Sequence, residues 1–159
     1  MNAMTARALG LGIVVAVWTA ISHYAKLPLL LWPVFVGLGC FLAAGGGIAG
    51  LQRTVVSMIS GAVWVLIAYS VSKSLGRSNI LDALVYGAAV AGMVLQARFP
   101  LLSYTGGAVV GAGAAMGAGV RSVEGGVRIA AALAIGAVLG YAAEFAAENM
   151  EGYLSRRNR

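Results

Sequence analysis

Only five of the 159 residues are acidic, and Asp82 is the sole acid before position 124. The chain has one histidine, one cysteine and three prolines. Each shortage excludes something. A single cysteine, Cys40, cannot close an internal disulfide, and in mid-segment it reads as a small buried hydrophobe. One histidine and one cysteine are too few for a transition-metal site, so no metal is expected. No nucleophile–base pair or phosphate loop is present, so the sequence predicts neither enzyme activity nor a cofactor. Charged residues make up 10% of the chain, where a soluble domain carries roughly a quarter. That excludes an ordinary soluble domain and points to the membrane.

What is there is apolar: 60% of the residues are hydrophobic. Uncharged runs separate Arg7 from Lys26, Lys26 from Arg53, Arg53 from Lys73, Asp82 from Arg98, Arg98 from Arg121 and Arg128 from Glu144. A hydrocarbon core of ~30 Å takes about 20 apolar residues as a helix. The runs therefore predict an all-α polytopic membrane protein with about six transmembrane helices, near 8–25, 29–47, 54–72, 80–97, 101–119 and 126–147. The last helix is expected to run past the lipid. The breaks are Lys26-Leu27-Pro28, Gly45-Gly46-Gly47, the polar stretch 72–79 and Arg98-Phe99-Pro100. Asn79 followed by Asp82 resembles a helix cap with an acid in the first turn. The net charge of +6 comes from arginines and lysines spread singly between apolar runs, which is no nucleic-acid footprint. Sorted by six spans, six basic residues fall on one side and five on the other. The count leans toward both termini in the cytoplasm. The first run lacks a cleavage site and reads as a retained span.

The 23 glycines lie mostly inside these runs. In lipid, glycine lets helix backbones approach closely. GxxxG spacing occurs at Gly46/Gly50, Gly107/Gly111, Gly113/Gly117 and Gly136/Gly140. Six helices leave little interior, so a homo-oligomer is expected.

An internal repeat organises the chain. At an offset of 72, Ala25-Lys26-Leu27-Pro28-Leu29-Leu30-Leu31-Trp32 lies over Ala97-Arg98-Phe99-Pro100-Leu101-Leu102-Ser103-Tyr104. Gly39, Ala43, Gly45 and Gly47 then fall on Gly111, Ala115, Gly117 and Gly119. After a three-residue slip Gly61-Ala62-Val63 meets Gly136-Ala137-Val138. The repeats span about 8–72 and 80–147, with a short polar tail over 148–159. Duplicating three spans turns the second copy upside down, giving a 3+3 inverted repeat. Two readings of the matched segments stay open. They are ordinary tilted spans, or short helices that begin inside the membrane at Pro33 and after Thr105, each behind an extended Leu-Leu-x-aromatic lead-in. Short helices would turn free N–H groups toward a solute.

Few residues offer chemistry. His23, with Thr19 one turn earlier, is an interfacial residue or a proton site. Asp82 is a cap, a partner of Arg77, or a polar site. Glu144, Glu148 and Glu151 share one helical face and read as solvated.

The order Trp18, Leu-Leu-Leu-Trp32, Gly39-Cys40, Ser60-Gly61-Ala62-Val63-Trp64, Gln96-Ala97, Leu-Leu-Ser103-Tyr104 and Gly140-Tyr141 resembles the YcdZ-like small bacterial inner-membrane proteins of domain-of-unknown-function family 1097. The likeness runs from about Leu9 to Ala146. It implies the bacterial cytoplasmic (inner) membrane and names no substrate. The chain departs from that family's pattern at Gly106, where proline is expected.

These observations predict a small-solute channel or transporter. Its path would run between the matched segments, constricted by Trp32, Phe35 and Tyr104, with Ser103 and Thr105 offering hydrogen bonds and Pro33 and Gly106 also on the path. Scarce charge in the segments favours a small polar solute, uncharged or weakly charged, over a metal ion. The alternative is a non-transporting structural, assembly or regulatory membrane protein. Partners on either view are the lipid bilayer and further copies of the chain, and no nucleic acid.

Overall fold

A computed structural model describes residues 3–25 and 31–157 of the protein. Six α-helices follow one another: α1 (Ala3–Tyr24), α2 (Leu31–Ala43), α3 (Gly47–Ser74), α4 (Asn79–Leu95), α5 (Thr105–Gly117) and α6 (Val123–Arg157). Two single 3-10 turns, Gln96–Arg98 and Pro100–Leu102, lead into α5. No strand forms among the described residues.

All six apolar runs are helical, but they are not alike. Four helices, formed by 4–24, 47–74, 79–98 and 123–150, are long and apolar enough to cross a bilayer. Helices α2 and α5 have 13 residues each, about 20 Å of rise, and fall short of ~30 Å. Pro33 is the third residue of α2, in the first turn, where its missing N–H breaks no helical bond.

Several local expectations shift. Thr105 is the first helical residue of α5, not its cap; Tyr104 holds the cap position with no side-chain hydrogen bond. The lead-in to α5 is a 3-10 turn and not extended chain, and Leu31 and Trp32 are already helical. Lys26-Leu27-Pro28, Leu29 and Leu30 lie outside the described residues, as does Arg159. At α4 the cap is Ser78, whose hydroxyl accepts from the Leu81 N–H at 3.2 Å, one residue before Asn79.

The Gly45-Gly46-Gly47 break turns the chain from α2 into α3. All three have positive φ (92°, 74° and 66°), a conformation that costs any residue with a Cβ. The α5–α6 turn uses Gly119 (φ 66°) in the same way.

Contacts between the helices fix their directions. Val34 lies against Gly136 and Phe41 against Gly140, so α2 and α6 run the same way. Ser57 lies against Gly107 and Gly61 against Ala108 and Ala112, so α3 and α5 also share a direction. Helices α3 and α6 are antiparallel: Leu66 meets Gly126 at one end, and the Gly47 N–H meets the Glu144 carboxylate at the other. Trp32 approaches Gly117 while Cys40 lies near Tyr104, so α2 and α5 lie side by side and point opposite ways. The most extensive packing is α2 on α6 and α3 on α5, so each short helix rests on the long helix of the other half.

Glycine makes those two seams possible. Hydrocarbon tails are as apolar as leucine, so helices gain little by merely hiding apolar side chains and gain by close backbone contact. A Cβ on Gly37 or Gly136 would strike the carbonyl of Leu133 or Val34, and one on Gly61 or Gly111 that of Ala108 or Met58. Gly113, by contrast, faces open space. The sealed centre holds Phe41, Met58, Met93 and Leu133. Large apolar side chains such as Ile13, Val17, Ile80 and Leu84 point outward, the inside-out pattern of a chain solvated by lipid.

Candidate functional site

The structure brings together the start of α5, the last turns of α2 and the first half of α3. Tyr104 places its ring against Gly106 and Gly107, and its hydroxyl lies near Cys40. Ser57 presses on Gly107 from α3. Ser57 and Thr54 are fully buried, and neither hydroxyl has a partner among the described residues. Thr105 is half-buried beside them, and Gly106 is exposed.

Other predicted residues lie elsewhere. Trp32 is near Gly117, at the far end of α5 from Tyr104. Phe35 is 49% exposed and borders an apolar crevice with Val15, Trp18 and Leu139. Pro33 is buried. The Ser103 hydroxyl donates to the Pro100 carbonyl at 2.8 Å, closing its own turn. His23 is exposed in the last turn of α1, and Thr19 donates to the Val15 carbonyl at 2.8 Å rather than toward it. Asp82 accepts a hydrogen bond from Ser72 of α3. Arg77 lies instead over the Tyr69 ring, 5.4 Å from its centroid.

A second polar group lies between α3 and α4. The Gln96 Oε1 accepts from the Ser60 hydroxyl at 2.6 Å and from the Trp64 Nε1–H at 2.9 Å. Both residue pairs appear in the sequence motifs, but nothing there shows that they meet.

Among the described residues a cavity opens at each end of the bundle. The first, about 230 Å³, lies under the α2–α3 turn between Leu42, Gly45, Gly46, Gly140 and Ala143, with Arg7 and Glu144 as its charges. The Glu144 carboxylate is not merely solvated, as the sequence suggested: it accepts the Gly47 N–H at 2.7 Å and caps α3. The second cavity, about 160 Å³, lies under the α5–α6 turn between Val65, Met116, Gly119 and Val120, with Tyr69, Tyr86, Arg77 and Arg121.

These cavities occupy related places in the chain. Both bounds of α2 and α5 are offset by 74, two more than the Pro-Leu-Leu match. The slip falls in the lead-in, so Trp32 and Tyr104 are not structural equivalents. That offset carries Leu42, Gly45 and Gly46 onto Met116, Gly119 and Val120. An offset of 75, which also superposes Gly61 on Gly136, carries Val65 and Tyr69 onto Gly140 and Glu144. Arg7, Glu144, Arg77, Arg121, Tyr69 and Tyr86 were not linked to one another by sequence. Their only signal was being polar near the end of an apolar run.

Comparison with known proteins agrees with the membrane architecture. Residues 8–148 match the family described as Protein of unknown function (DUF1097). The chain is 30% identical over 144 residues to inner membrane protein YcdZ of Escherichia coli (strain K12), covering 89% of this chain and 84% of the relative. It is 31% identical over 146 residues to the Salmonella typhimurium protein of that name, covering 89% and 86%. The uncharacterized protein YahC of Escherichia coli is 31% identical over 123 residues, covering 70% and 73%. No solved structure matches the chain.

Proposed function

The chain belongs to the DUF1097 family, and from that premise we propose that it is a small-solute channel or transporter of the bacterial inner membrane, built as an inverted repeat. The observation that carries this is the pair of cavities, one at each end of the bundle, lined from related positions of the two halves. Oppositely directed short helices at the centre support it, since such elements line midplane sites in inverted-repeat transporters. The path runs from one cavity to the other beside α2 and α5. The buried side chains Phe41, Met58 and Leu133 lie between its two ends and would have to move for a solute to pass.

The clustered polar groups Tyr104, Ser57 and Thr54 suit an uncharged or weakly charged solute with hydrogen-bonding capacity, and no chemistry is done on it. Several copies pack together through the exposed apolar flanks. The closed core also favours the rival, a non-transporting structural, assembly or regulatory protein. Osmotic swelling of liposomes holding the purified chain separates the two, across ureas, amides, short acids and ammonium. Transport predicts at least one solute entering faster than into empty vesicles, and faster still with Phe41→Ala. Rates equal to empty vesicles for every solute favour the rival.

A further inference from the structure

The cavity under the α5–α6 turn is built differently from its counterpart. Arg77 and Arg121 both line it, together with Tyr69 and Tyr86. No carboxylate lines it. The two nearby acids are engaged elsewhere: Asp82 accepts from Ser72, and Glu124 pairs with Arg128 at 2.6 Å. Where the first cavity has Glu144, this one has Tyr69. Two positive charges therefore stand without a carboxylate on the cavity wall.

Arg77 is also held in place. It is the one non-glycine with positive φ (47°) among the described residues, a conformation most side chains avoid. The turn is fixed by Gly76 before it and by its own N–H donating to the Ser72 carbonyl at 3.2 Å. Its guanidinium carbon lies over the Tyr69 ring, 5.4 Å from the centroid, a cation–π contact that leaves N–H groups to donate. Two guanidinium forks and two phenol hydroxyls offer donors to a tetrahedral oxyanion. The setting also suits a headgroup, since the site lies at a helix end with apolar Val65 and Met116 beside it.

We propose that this cavity binds a phosphate group, either free or carried by a lipid headgroup. The site stands at one mouth of the bundle and does not rest on the transport reading. The test is thermal unfolding of the purified chain in an uncharged detergent, followed by tryptophan fluorescence. Sodium phosphate is compared with sodium chloride at equal ionic strength, and added phosphatidylglycerol with added diacylglycerol. The proposal expects a rise in Tm of about 3 °C with phosphate or with phosphatidylglycerol. A rise with phosphate identifies a free anion, and a rise with the lipid alone identifies a headgroup. Arg121→Gln and Arg77→Asn (asparagine tolerates the positive φ) should abolish it, Tyr86→Phe should reduce it by about half, and Arg98→Gln at the far end should keep it whole. No rise with either ligand, or a rise that survives in both arginine variants, overturns the proposal.

Discussion

The cavities at the two ends of the bundle have the same frame and different walls. Each sits under a glycine turn between a short helix and a long one, and each is completed by the long helix of the other half. At the first, Glu144 is spent on capping α3. At the second, the same position is Tyr69, the acid is gone and two arginines are left to face the cavity. The backbone seams are what the halves share, and the mouths are where they differ. Packing through glycine demands the same geometry on both sides, whereas a side chain at a mouth can change without disturbing a seam.

The largest expected effect tests the shared part. Gly61→Ala and Gly136→Ala each drive a Cβ onto a backbone carbonyl, and each should destabilise by about 1–3 kcal/mol. Gly113→Ala, with open space around it, should be neutral or slightly stabilising. Thermal unfolding in detergent reads all three, and sensitivity in one half alone breaks the equivalence. Next, Glu144→Ala should cost about 1 kcal/mol by uncapping α3, whereas Tyr69→Phe at the matching position should leave stability unchanged. Ser60→Ala removes one of two bonds to Gln96 between α3 and α4 and should cost about 0.5–1.5 kcal/mol, with a shift in Trp64 emission as readout. The smallest effect belongs to Arg128→Gln. Its ion pair with Glu124 is exposed on both sides, so the change should stay within about 0.5 kcal/mol.

The six helices, the glycine turn at 45–47 and the break before Pro100 were legible in the sequence because hydropathy and glycine punctuate a membrane chain strongly. The shortness of α2 and α5 was one of two open readings, since Pro33 and Thr105 mark a helix start without saying how much lipid lies above it. The Pro-Leu-Leu match set an offset of 72, whereas the bounds of α2 and α5 differ by 74. The identical Pro-Leu-Leu pulled the match toward the lead-in, while α2 and α5 themselves align by glycine contacts. Glu144 was read as solvated because nothing in a one-dimensional chain tells that Gly47, 97 residues earlier, would need its carboxylate. The mouth residues escaped for the same reason: each wall draws on several elements far apart in sequence.

One measurement bears most directly on the central claim that the halves lie head-to-foot with a mouth on each face. Single cysteines at positions 49 and 124, equivalent at the 75 offset, are placed in a Cys40→Ala background. They are then treated with a membrane-impermeant thiol reagent in right-side-out and inside-out vesicles. The account predicts that they label from opposite sides of the membrane. Labelling of both from the same side would contradict it.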